Sequence, residues 1–181
     1  LDTLPTSAEV AVGGSVWGTG IVRGGFDDFQ GEGTLDFADL RLRQDFVEAG
    51  SISFSGEGFP SPEASLRMEI ETDSASIRTL GYQAASAELE LRRRDGRVRF
   101  TVQKSLTESI SAQGTYALDS LDGGTANIDE LTFRFDSLRW NLGGPAAFAW
   151  SKEGYRFRDF QVVRPGVETM RIRADGFLPV G

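Results

Sequence analysis

The chain has 181 residues, with no histidine and no cysteine. Without histidine, the usual general base near neutral pH and the commonest metal ligand are missing. Without cysteine there is no thiolate nucleophile and no zinc cluster, and every redox compartment is compatible. No apolar run approaches the ~18 residues of a membrane-spanning helix. Basic charge is sparse as well. The net charge is −8, and Arg92, Arg93 and Arg94 form the only basic run, which reads as a solvated hairpin end. Phosphate recognition needs clustered Lys and Arg, so no nucleic-acid partner is expected. Neither a low-complexity linker nor a charged-then-apolar leader is present. Residues 1–181 are therefore expected to be a single segment, an excerpt of a longer chain that begins here at Leu1.

The carboxylates offer little chemistry. Asp27/Asp28 and Asp119/Asp122 are the obvious pairs, but each flanks glycine or serine in a turn. Asp119 to Gly124 lacks the alternating ligands and closing Glu of a calcium loop. Gly13-Gly14 and Gly18/Gly20 are followed by no helix, so they are not a phosphate cradle. The expectation is a non-enzyme without cofactor or metal.

What the chain does have is an apolar period of two almost throughout, the signature of strands with one buried face. Leu35/Phe37, Ile52/Phe54, Leu66/Met68/Ile70, Leu89/Leu91, Val98/Phe100/Val102, Leu131/Phe133/Phe135, Leu138/Trp140/Leu142, Phe148/Trp150, Tyr155/Phe157 and Met170/Ile172 all alternate with polar residues. About a dozen strands result, mostly antiparallel because the connections are too short for helical crossovers. Asp95-Gly96 is the best two-residue hairpin signal and would set Leu91 opposite Phe100, Leu89 opposite Val102, and Arg92 opposite Arg99. Ser151 to Gly154 predicts a second hairpin that pairs Trp150 with Tyr155 and Phe148 with Phe157. The apolar set slips from odd to even positions after Phe135 and again after Phe157, which requires a turn or bulge at Asp136-Ser137 and at Arg158-Asp159.

A longer beat overlies this alternation. Five of the seven isoleucines are followed four residues later by glycine, at Gly25, Gly56, Gly81, Gly114 and Gly176, and Trp140/Gly144 fills the long gap. A spacing of about 30 residues reads as a repeat architecture in which each glycine ends the last strand of a unit.

The C-terminal third carries a resemblance. Leu131-Thr-Phe-Arg-Phe-Asp-Ser-Leu-Arg-Trp140-Asn-Leu-Gly-Gly-Pro145-Ala is followed by Tyr155-Arg-Phe-Arg-Asp-Phe-Gln-Val and Met170-Arg-Ile-Arg-Ala-Asp-Gly176-Phe. A strand ending in tryptophan, a polar step and a proline, then two alternating strands closing on an acidic residue and glycine, resembles the C-terminal region of the translocation and assembly module (TamB) family, related to AsmA-like and bridge-like lipid transfer proteins. The resemblance implies an elongated sheet curved into a U-shaped β-taco with an apolar concave face. It also implies a periplasm-spanning protein of a Gram-negative bacterium, anchored in the inner membrane, that moves phospholipid to the outer membrane and supports outer-membrane protein assembly and secretion with the barrel partner TamA.

On that reading Phe54, Met68, Leu89, Leu91, Phe100, Val102, Phe133, Phe135, Trp140, Phe148, Trp150, Tyr155, Phe157 and Ile172 line a groove for phospholipid acyl chains. One chain of ~15 methylenes would recover about 12 kcal/mol at ~0.8 kcal/mol per CH₂. Three other readings stand beside it. The same residues could form the closed core of a compact β-sandwich. Alternatively, the strand edges could scaffold nascent barrel strands without binding lipid, or the chain could be an outer-membrane barrel with strands of ~9–11 residues.

Overall fold

The computed structural model of the chain describes residues 12–25, 28–42, 45–59, 61, 63–77, 80–120, 122–166 and 170–180. Leu1, Asp27 and the Phe26 ring that follows Gly25 lie outside them. The period of two is expressed as fourteen strands, with no helix among the described residues. These are β1 Val12–Gly25, β2 Asp28–Leu42, β3 Asp45–Phe59, β4 Ser65–Thr72, β5 Ala75–Ile77, β6 Leu80–Tyr82 and β7 Ala84–Arg92. They continue with β8 Asp95–Gln103, β9 Ser109–Ser120, β10 Gly123–Phe135, β11 Leu138–Leu142, β12 Ala146–Ser151, β13 Gly154–Val163 and β14 Arg171–Pro179. All belong to one antiparallel sheet.

Three pairs of these strands are single lines with a kink. β5 continues the register of β4 along β3, and Glu48 N donating to Ser74 O at 2.8 Å and Asp73 N to Ala49 O at 2.9 Å bridge the gap. β6 and β7 continue each other in the same way, with Gln83 N donating to Gln103 O. β11 and β12 both pair with β10 on one side and β13 on the other, and Gly143-Gly144-Pro145 is the bulge between them. The fourteen segments therefore make eleven rungs of one up-and-down meander, each rung joined to the next in chain order.

Two tight turns each open on a residue with left-handed backbone. Arg93 and Asp136 open the two-residue loops Arg93-Arg94 and Asp136-Ser137 at φ 61° and 51°. The slip after Phe157 is a bulge in which Asp159 adopts φ 56° and donates its backbone N–H to Asp175 Oδ1 at 2.7 Å. Asp175→Ala is expected to leave that amide to water and to lower stability by about 1 kcal/mol, read as a shift of the urea midpoint; no shift would mean the carboxylate does not hold the bulge.

The structure moves one hairpin. Its loop is Arg93-Arg94, not Asp95-Gly96, so Leu91 faces Gly96, Leu89 faces Val98, and Ala87 faces Phe100. Two physical reasons favour this register. It sets Glu88 opposite Arg99 and Glu90 opposite Arg97, where the expected one opposed Arg92 to Arg99. It also keeps Gly96 inside the strand, beneath the ring of Tyr116, whose hydroxyl donates to Glu90 O at 3.2 Å.

The glycine beat has a different meaning from the expected one. Gly25 ends β1, but Gly56, Gly114 and Gly176 lie within β3, β9 and β14, and Gly144 sits in the bulge after β11. Rungs running in one direction begin at Val12, Asp45, Leu80, Ser109, Leu138 and Arg171. A spacing of about 30 residues is thus the length of one up-and-down pair, and no separate repeating unit is displayed.

Candidate functional site

The ladder carries one face unbroken from β1 to β14. Val16 and Gly18 oppose Phe37 and Leu35, which in turn oppose Gly50 and Ile52. Ile52 and Phe54 oppose Ile70 and Met68, and Met68 and Leu66 oppose Leu89 and Leu91. Phe100 and Val102 oppose Ala112 and Ile110, Ile110 opposes Phe133, and Phe133 opposes Trp140. Ala126 opposes Phe148, Phe148 opposes Phe157, and Val162 opposes Ile172. Directly opposed residues of an antiparallel pair project to the same side. All fourteen groove candidates therefore share this face: Leu91 through Leu66, Phe135 through Leu138, and Trp150 and Tyr155 through each other and Gly124. The turn at Asp136-Ser137 and the bulge at Arg158-Asp159 keep the face in phase.

None of the fourteen is buried. Phe100, Phe135, Tyr155 and Ile172 are 37%, 45%, 42% and 57% exposed, and the rest are half-buried. Extensive contact runs only between hydrogen-bonded neighbours, and the partial exposure of all fourteen shows no second layer of described residues packed over them. A sandwich core would bury these rings under another sheet. The buried apolar residues are instead small anchors within the layer: Phe37 beside Gly50, Ala64 at the β3–β4 turn, and Leu131, Ala146 and Val162 around the β11–β12 bulge.

Rings on the face lie down over glycines of the adjoining strand. Phe37 covers Gly50, Tyr116 covers Gly96, and Trp150 covers Gly124, where an added Cβ would stand 2.6 Å from Trp150 Cζ2. The expected four-ring hairpin is present, with Phe148 at 5.9 Å from Trp150, 5.9 Å from Tyr155 and 5.1 Å from Phe157 between centroids. Burial pushes the Tyr116 phenol above its ordinary range. The result is a low-relief apolar pavement.

The opposite face is polar. Arg67 meets Glu69 at 2.9 Å and Glu90 at 3.8 Å, and Arg99 meets Glu88 at 3.6 Å. Glu69 and Glu88 are directly opposed, so the two arginines offset a like-charge pair. A hollow of about 1120 Å³ opens over this face, lined from Ile21 and Arg23 of β1 to Thr125 and Asn127 of β10. Four arginines and four carboxylates line it (Arg23, Arg67, Arg92, Arg97; Glu32, Glu57, Glu90, Asp95), which leaves it without net charge. The concavity at this end is therefore polar, and a U closed over an apolar inside is not displayed.

The remaining sequence candidates lie at turns and strand ends. Asp122 pairs with Lys152 at 3.0 Å across two turns. Arg93 pairs with Glu63, and Arg94 Nη1 donates to Asp119 O at 3.4 Å. Lys104 is held by Glu108 at 2.7 Å, and that hydrogen bond, then its charge, raises the ammonium above its ordinary range. Leu35, Phe37, Ile52, Tyr116, Leu131 and Val162 belong to the apolar face but were not among the groove candidates. Alternation within their own strands marked most of them, whereas the flat-lying rings are a cross-strand property. Comparison with protein-family models, with curated proteins and with solved structures gave no match.

Proposed function

We propose that this chain is a non-catalytic segment whose apolar face carries phospholipid acyl chains, within a longer TamB-like protein of the Gram-negative periplasm that also supports outer-membrane protein assembly and secretion. The observation that carries this reading is the continuous apolar face, present on all eleven rungs and, among the described residues, covered by no second layer. Eleven rungs at ~4.8 Å make a path of about 50 Å, longer than one acyl chain. The chain would therefore be a stretch of track along which lipid moves, with its headgroup toward the strand ends and water. Inner-membrane anchoring and docking to a TamA-like barrel belong to the full-length protein in this proposal.

Adjacent residues on opposite faces provide the test. Benzoylphenylalanine placed at Phe100 or Phe133 is expected to crosslink phospholipid at least ~10-fold more than at Thr101 or Arg134, which the ladder sends to the other side. Equal crosslinking from both faces, or none from either, would remove the support.

The polar hollow favours one second reading, in which the apolar face lies against a bilayer as in an outer-membrane barrel. β1, β2 and β3 run 14, 15 and 15 residues, longer than the ~9–11 such a strand needs. β1 and β14 are not paired to each other. A chain that needs a detergent belt to remain dispersed would favour this reading, and a water-soluble particle holding a few lipids would favour the first.

A further inference from the structure

The outer edge of β1 differs from that of β14. Among the described residues, no strand pairs with either. β14 carries Arg171, Arg173, Asp175 and Pro179, the charges and proline by which edge strands are guarded against adventitious pairing. β1 is a fourteen-residue edge with Arg23 as its only charge and no proline.

Its sequence is a near-palindrome about Thr19. Gly18 mirrors Gly20, Trp17 mirrors Ile21, Val16 mirrors Val22, Gly14 mirrors Gly24 and Gly13 mirrors Gly25. The backbone follows the same symmetry, since Gly14 and Gly24 adopt φ 114° and 100° and bound a run from Ser15 to Arg23 without positive φ. Trp17 and Ile21 are also out of place. They oppose Asp36 and Glu32 on the polar face and are 53% and 49% exposed among the described residues.

We propose that β1 pairs antiparallel with β1 of a second copy of this chain, about a two-fold axis through Thr19. In that register each Trp17 faces Ile21 of the second copy, each Val16 faces Val22, and each Gly18 faces Gly20. Opposed residues keep to the same side, so the two apolar faces join into one of twice the length. The interface is isologous and closes at two copies, because a two-fold operation uses up both β1 edges while the guarded β14 edges remain outside. A chain without such symmetry could pair with itself only by matching unlike residues. The proposal concerns the 181-residue chain itself and does not depend on what the apolar face carries.

Thr19 opposes its own copy, which gives a specific test by sedimentation equilibrium on the full chain. Wild type is expected to be a dimer in the micromolar range. Thr19→Lys and Thr19→Glu should each weaken association about 10-fold or more, since like charges would stand directly opposed, with circular dichroism unchanged because Thr19 is exposed. An equimolar mixture of the two variants should recover the dimer. Because the chain has no cysteine, Thr19→Cys offers a second readout: mild oxidation should give a covalent dimer, as opposed Cα atoms at ~4.5–5.5 Å lie within disulfide reach. A monomeric wild type, a dimer indifferent to both charges, or a mixture that fails to recover association would each overturn the proposal. The second would assign dimerisation to another surface.

Discussion

Gly124→Val is expected to lower stability by about 3 kcal/mol or more, at the upper end of what overpacking a filled site costs. A Cβ at this buried position would stand 2.6 Å and 2.8 Å from Cζ2 and Cη2 of Trp150, and still closer to the Ala117 carbonyl oxygen. The ring cannot simply lift, because Trp150 is stacked on Phe148, which also contacts Tyr155 and Phe157. Neither can the carbonyl, which belongs to the β9–β10 ladder. Gly144→Val is the control: an added Cβ meets nothing within 4 Å there, and a change within ~0.5 kcal/mol is expected. Urea titration followed by tryptophan emission measures both. Similar midpoints for the two variants would show that the ring-over-glycine contacts do not hold the C-terminal rungs.

The second large effect is on ligand capture. The triple variant Leu89→Asp, Phe100→Asp and Phe133→Asp places three carboxylates across the middle of the apolar face, at positions that are half-buried or, for Phe100, 37% exposed. Water already reaches these sites, so the charges are solvated and the fold should survive with a modest loss. Acyl chains would no longer find a continuous apolar path, and lipid retained after purification should fall about 10-fold or more, given ~0.8 kcal/mol for each methylene denied burial. The matching variant on the polar face, Glu88→Gln with Thr101→Asp, should retain lipid as wild type does. A folded triple variant with undiminished lipid would sink the proposed function. Reading folded state and lipid content on the same sample separates that outcome from simple unfolding.

Much of the fold is legible in the chain because local physics and the global arrangement agree. Alternation in Phe133/Phe135, Phe148/Trp150 and Tyr155/Phe157 sets the strands, and the parity slips at Asp136 and Asp159 locate irregularities where the backbone does turn left-handed. Asp95-Gly96 misled for a physical reason. Its turn propensity is local, whereas Gly96 is required within β8 by the Tyr116 ring of the adjoining strand β9, and the register is favoured by Glu88 opposite Arg99. Alternation also cannot say which side of a sheet is hollow. Side chains such as Leu89 and Glu90 have the same period wherever the sheet bends, so the polar hollow lined by Arg23, Glu90 and Arg97 left no mark in the sequence that distinguishes it from an ordinary wet face.

Because extensive contact runs only between rungs adjacent in chain order, the sheet behaves as a ruler. Removing a single rung would reverse the direction of every later strand, while removing an up-and-down pair leaves direction and facing intact. Its reach can therefore be shortened or extended by genetic change in steps of about 10 Å, two strand spacings, without redesigning any junction. Among the described residues no long-range strand pairing closes the sheet and fixes the total, so the count of pairs is free to vary.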